Sequence, residues 1–271
     1  MKRTLFIAAF AFTLALSVAG CSSSKEVETL PAEVRYAQAM AKFNNEDYLE
    51  AADDFKIVTV QYPASALADS AQFHIAECRY RRGEYILAAS ECDLLVRTMP
   101  SSPLVPRARY MKAMADYDLS PKSELDQKYT REAIDDFQAF LEYSPNDSLA
   151  REAAAKIVEL NNKLAKKEYE NGRLYYRLEY YKSAIAYFDN VMDRYHDSEF
   201  ADDALLAKAR AMRERHDYAG ALDAINLFYQ KYPASDLLPD VNTLKSDVTT
   251  EMANAPPSSQ KTAGLSTSTR P

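Results

Sequence analysis

The chain has 271 residues, 47% of them hydrophobic, with 5 glycines, 19 tyrosines and no tryptophan. That is enough apolar material for a sizeable buried interior. A formal net charge of −7, with lysines scattered rather than clustered, excludes the basic face that nucleic acid requires.

The first twenty residues read as a targeting segment. Lys2 and Arg3 supply a positive start, and Leu5 to Leu16 is an apolar run too short to span a bilayer. Val18-Ala19-Gly20-Cys21 follows. Small residues directly before a cysteine resemble the lipobox of bacterial lipoproteins. The resemblance implies cleavage before Cys21, acylation of Cys21 and anchorage to a membrane through that lipid. An ordinary secretory signal is the alternative. Ser22, rather than an aspartate, follows the cysteine; by resemblance to enterobacterial lipoproteins this favours the outer membrane. Residues 21–31 are short and polar and read as a flexible tether.

From Ala32 onward one pattern recurs. Tyr48-Leu-Glu-Ala51-Ala-Asp-Asp-Phe55 closes at Tyr62-Pro63, and Tyr85-Ile-Leu-Ala88-Ala-Ser-Glu-Cys92 at Met99-Pro100. Further copies are centred on Ala133, Ala184 and Ala221. A small residue lets a preceding helix approach closely. The large residues three before and four after it share its helical face, and proline ends the helix. A pair of helices cannot bury its apolar face alone, so neighbours must stack. The period, the small–large spacing and the closing proline resemble the tetratricopeptide repeat. The expected fold is therefore all-α: a right-handed solenoid of five helix pairs with a long connecting helix.

In chain order, repeat 1 places one helix from near Ala32 to just before Asn44-Asn45 and a second at about Tyr48–Gln61. Repeat 2 places them near Ala66–Arg81 and Tyr85–Thr98, turning at Gly83. Repeats 1–3 occupy residues 32–147. Repeat 3 opens after Pro106, and Asp118 to Lys128 interrupts it; this insertion is either a contact surface or a tolerated loop. From Ser148 to Tyr176 no proline occurs, and Leu149, Ala153, Ile157, Leu160 and Leu164 keep a helical stripe. One helix of roughly 28 residues, about 42 Å, is expected there, weakest at Asn161-Asn162. It opens the unit 148–236 that carries repeats 4 and 5. Residues 237–252 read as a capping helix, and 253–271, rich in Ser, Thr and Pro, as a disordered tail.

A second periodicity lies on the first helices. Tyr36, Phe73 and Tyr110 are spaced alike, as are Phe43, Tyr80 and Tyr117; Tyr169 and Tyr176 continue both columns. Seven residues separate the columns, two turns along one face. Such a face lines the concave side of a tetratricopeptide solenoid, where aromatics bind an extended or helical peptide. Packing between helices is the equal alternative. Leu206 and Arg213 break the columns in repeat 5. Arg79, Arg81, Arg82, Arg107 and Arg109 lie near them, either to meet an acidic partner or as a solvated face. No nucleophile elbow, phosphate-binding glycine loop or zinc-protease motif occurs. His74, Cys78 and Cys92 lack a fourth metal ligand. The residues thus point to no enzyme, no metal and no cofactor. Cys78 and Cys92 read as free thiols or as a disulfide permitted in an oxidising compartment.

Signal, lipobox cysteine, tether and five repeats together resemble the BamD family of outer-membrane β-barrel assembly lipoproteins. Tyr62-Pro63-Ala-Ser65-Ala-Leu67-Ala68-Asp69-Ser-Ala71 carries the likeness. So does the run from Ser123 through Asp126-Gln127 and Thr130-Arg-Glu-Ala133-Ile134-Asp-Asp-Phe137 to Phe140. The resemblance implies a lipid-anchored scaffold facing the periplasm. It implies that repeats 1–3 receive unfolded barrel precursors and that repeats 4–5 dock the assembly pore BamA. Another periplasmic repeat adaptor, such as a secretin pilotin or a cell-division coordinator, is the alternative.

Overall fold

The small–large pattern becomes visible as packing in the computed structural model, which describes residues 30–255. Within them the chain forms eleven α-helices and no strand. They are α1 (Ala32–Asn44), α2 (Tyr48–Gln61), α3 (Ala68–Arg81), α4 (Tyr85–Thr98) and α5 (Val105–Leu119). Then come α6 (Lys128–Tyr143), α7 (Ala150–Arg177), α8 (Tyr181–Arg194), α9 (Ala201–Glu214), α10 (Tyr218–Lys231) and α11 (Leu238–Asn254). Each helix packs chiefly on its neighbours in sequence, as a solenoid requires. The targeting segment, Cys21, and nearly all of the tether and the tail lie outside the described residues.

The five repeat alanines, Ala51, Ala88, Ala133, Ala184 and Ala221, are all fully buried, and so are Phe55, Phe137 and Phe188 four residues later. Facing them on the first helices are Ala39, Ala76, Ala113, Gly172 and Ala209, again small and buried. Small residues on both helices let each pair close around one large side chain per repeat. A buried phenylalanine stabilises by about 1.5–3 kcal/mol, so this column is the main cement of the solenoid.

Four of the five pairs turn through the same backbone device. Glu46, Gly83, Glu179 and His216 adopt φ of 64°, 74°, 62° and 60°. The N–H of each following residue reaches back to the first helix: Asp47 to Lys42 O, Glu84 to Arg79 O, Tyr180 to Tyr175 O and Asp217 to Met212 O. This is the left-handed helix cap in which glycine is the strain-free choice. The chain uses glycine only once. Between repeats, a side chain orders the turn leading into the next helix: Ser65, Ser102 and Ser235 Oγ accept from the N–H of Leu67, Leu104 and Leu237, and Asp147 Oδ1 does so for Leu149. Ser102 and Ser235 also donate to Asp69 and Asp202 of the preceding repeat, both at 2.7 Å.

In repeat 3 the turn is replaced. Helix α5 runs on to Leu119, and Ser120 to Gln127 form an ordered bridge. Gln127 is 1% exposed, and its Nε2 donates to the carbonyls of Lys122 and Leu125. Lys163 and Lys167, on the next first helix, donate to Ser120 Oγ and Leu125 O.

Helix α7 spans 28 residues without interruption at Asn161-Asn162. Leu160 and Leu164 are buried on either side of that pair, which outweighs the poor propensity of two asparagines. Its first half packs with Phe137 and Phe140 of α6, its second half with Phe188 of α8. One rod therefore closes repeat 3 and opens repeat 4.

Candidate partner-binding groove

The aromatic columns of the first helices share one packing rule. In the first column, Tyr36 meets Phe55 edge-on at 5.4 Å, Tyr110 meets Phe137 at 5.8 Å and Tyr169 meets Phe188 at 6.0 Å between ring centroids. Phe73 is 4% exposed, with the Arg107 guanidinium 5.3 Å above its ring. In the second column each ring meets, edge-on, the tyrosine that opens the second helix: Phe43 on Tyr48, Tyr80 on Tyr85 and Tyr176 on Tyr181, at 5.3–5.4 Å and interplanar angles of 65–69°. Edge-on pairs of this kind add to area burial. The insertion deprives Tyr117 of such a neighbour. Lys156 Nζ sits 3.9 Å over its ring instead, and its hydroxyl donates to Glu159 Oε1 at 2.6 Å.

Tyr36, Phe43, Tyr80, Tyr110 and Tyr117 are thus half-buried: packed on one side, presented on the other. Phe73 is enclosed. Tyr80 donates to Asp118 of the next repeat. Burial, then the Asp118 carboxylate, push its hydroxyl above the usual phenol range. Burial, then Glu159, do the same to Tyr117. The Tyr110 hydroxyl is enclosed without a hydrogen-bond partner among the described residues.

The nearby cations are mostly neutralised. Arg79 and Arg82 both reach Glu84, at 2.8 and 2.7 Å, and Arg81 lies 3.7 Å from Glu77. Arg109 stacks 4.7 Å over Tyr143. His74 fills the space between repeats 1 and 2: it stacks on Phe55 at 5.1 Å, and its Nδ1 is 3.2 Å from Glu77. Cys78 and Cys92 are free and buried, and burial raises both thiols, Cys78 to about 12. Among the described residues no set of three metal-ligating side chains converges.

The columns do not end with repeat 3. Tyr169, Tyr176 and Phe188 line a cavity of about 220 Å3 together with Ala207 and the guanidinium-bearing Arg173, Arg177 and Arg210. Arg173 pairs with Glu170 at 3.1 Å and Arg210 with Asp240 at 2.9 Å. In repeat 5, Leu206 is buried in the core and Arg213 is clamped by Glu251 and Asp247 of α11.

The sequence model of YfiO, described as an outer membrane lipoprotein, matches residues 28–223. The chain belongs to the YfiO family. Two relatives bear the name outer membrane protein assembly factor BamD. That of Rickettsia prowazekii is 26% identical over 81% of this chain and 88% of its own length. That of Caulobacter vibrioides is 27% identical over 74% of this chain and 68% of its own. Among solved structures, the TPR2AB domain of yeast Sti1 in its pHSP90 complex superposes with a TM-score of 0.42 at 14% identity, covering 82% of this chain and 84% of that one. The YfiO match takes in all six column residues of repeats 1–3 and the repeat-4 cavity.

In this YfiO chain the arginine-rimmed cavity is the feature that sequence reading passed over. Its signal was present: Tyr169, Arg173, Tyr176 and Arg177 lie three, four and seven residues apart on one face of α7. Arg210 enters from α9, and no local spacing announces it.

Proposed function

We propose that this chain is a non-enzymatic scaffold in the assembly of outer-membrane β-barrel proteins, held at the outer membrane by lipid on Cys21 and facing the periplasm. The family match over residues 28–223, with relatives named as assembly factors, carries the reading. Repeats 1–3 take an extended segment of an unfolded barrel precursor along the half-buried edges of Tyr36, Phe43, Tyr80, Tyr110 and Tyr117. Exposed ring edges suit a peptide that brings apolar side chains. Repeats 4–5 dock a BamA-like assembly pore. The change from tyrosine edges to an arginine-rimmed cavity at repeat 4 supports separate partners for the two halves.

Phe73 and Tyr110 are poor probes, because removing a packed aromatic costs about 3–5 kcal/mol of stability. Tyr80→Ala with Tyr117→Ala removes presented surface. The double variant is expected to bind an unfolded barrel precursor about tenfold more weakly, with unchanged helicity by circular dichroism and unchanged recovery of BamA from detergent-solubilised membranes. Undiminished precursor binding refutes the groove. Absence of BamA from the material recovered with the unaltered protein refutes the assignment.

A further inference from the structure

Away from the aromatic columns, α4, α5 and α6 border an open cavity of about 410 Å3. On α5, Lys112 and Asp116 face it, whereas Tyr110 and Tyr117 point elsewhere around the helix. The wall holds five carboxylates: Asp93 from α4, Asp116 from α5, and Glu132, Asp135 and Asp136 from α6. Two lysines oppose them, and both are engaged. Lys112 Nζ lies 2.8 Å from Asp136 and 3.5 Å from Asp93, and Lys128 Nζ lies 3.7 Å from Glu132.

Asp116 is left over. It is 7% exposed, its carboxyl group lines the cavity, and no cation among the described residues pairs with it. Its carboxyl group hydrogen-bonds to another, that of Asp136, and interacts more weakly with the Lys112 ammonium. Burial first, and Asp136 second, raise Asp116 to about 7. Lys112, engaged with Asp136 and Asp93, offsets only part of this buried charge, and a further cation entering the cavity relieves the rest. The donor set does not suit a bare metal ion, since no three carboxylates converge. A planar guanidinium can bridge two neighbouring carboxylates with paired hydrogen bonds. Ile86, 57% exposed at the wall, offers apolar contact to an arginine stem.

We propose that the cleft between repeats 2 and 3 is a docking site for an arginine side chain of a partner protein. This site is independent of the aromatic groove. Binding ionises Asp116 and releases a proton, so the affinity rises with pH. For a group titrating near 7, the dissociation constant falls about 30-fold between pH 5.5 and 8.5.

Fluorescence anisotropy of the full-length protein with a labelled Ser-Leu-Arg-Leu-Ser peptide tests this directly. Saturable binding that tightens about 30-fold over that pH range is expected. A citrulline peptide of the same shape should not bind. Asp116→Asn, which removes the buried charge without changing shape, should weaken binding at pH 8.5 at least tenfold and abolish the pH dependence. Equal binding of the citrulline peptide, or an unchanged Asp116→Asn variant, overturns the proposal. Displacement by millimolar magnesium at constant ionic strength overturns it in favour of a bare ion. Asp116-dependent self-association, seen by sedimentation, overturns it in favour of a second copy of the chain.

Discussion

Gly172 offers the sharpest test of how the repeats close. It lies inside the C-terminal part of α7, where glycine is about 1 kcal/mol worse than alanine on helix propensity alone. The four equivalent positions, Ala39, Ala76, Ala113 and Ala209, all tolerate a methyl group. At Gly172 a Cβ would stand 2.7 Å from Phe188 Cδ1 and 2.9 Å from Cζ, with Cε1 nearer still. Carbon atoms prefer about 3.5–4.0 Å, so helix and ring would have to part by about 1 Å. Phe188 is fully buried, and shifting its ring toward the cavity it lines would break its packing in the repeat-4 core. Overpacking of this kind costs about 1–3 kcal/mol. Against the propensity gain, Gly172→Ala should lower stability by about 1 kcal/mol, measured by urea unfolding followed at 222 nm. Adding Phe188→Leu removes the obstructing ring edge, and the double variant should be more stable than additivity of the two single changes allows. A Gly172→Ala protein stabilised by the full 1 kcal/mol would refute the claim that α7 and α8 are in closest approach at this point.

The turns and the buried carboxyl supply the remaining tests. Glu179→Gly and His216→Gly relieve left-handed non-glycine residues and should each stabilise by about 1 kcal/mol, whereas Gly83→Ala, at φ 74° with open space around it, should destabilise by a similar amount in the same unfolding assay. Asp116 should make stability fall with rising pH. Its folded-state value lies above its ordinary one, so its contribution is intact below about pH 4 and is lost as the pH passes through 7. Comparing the unaltered protein with Asp116→Asn between pH 5 and 8.5 should show that slope only in the former.

Repeat proteins are legible where one constraint recurs, and opaque where a residue answers to something far along the chain. The second helices follow from local spacing because the small residue, the large residue four later and the terminating proline act within one element. Tyr48–Gln61 and Tyr85–Thr98 accordingly fall where the spacing places them. The turns are less so: a glycine announces the left-handed cap at Gly83, but Glu46, Glu179 and His216 perform the same turn with no such signal, the strain being borne by packing on both sides. The order of the Ser120–Gln127 bridge depends on Lys163 and Lys167, more than forty residues away. The columns on the first helices were visible as spacing. What spacing alone does not show is that the second column pairs with a tyrosine five residues on, at Tyr48, Tyr85 and Tyr181, and that this pairing fails in repeat 3. There the insertion displaces the tyrosine, and a lysine and a glutamate of α7 take over Tyr117. The repeat that departs from the pattern is therefore also the one whose aromatic edge answers to the long helix, so a ligand pressing on Tyr117 would act on the rod that joins the two halves of the solenoid.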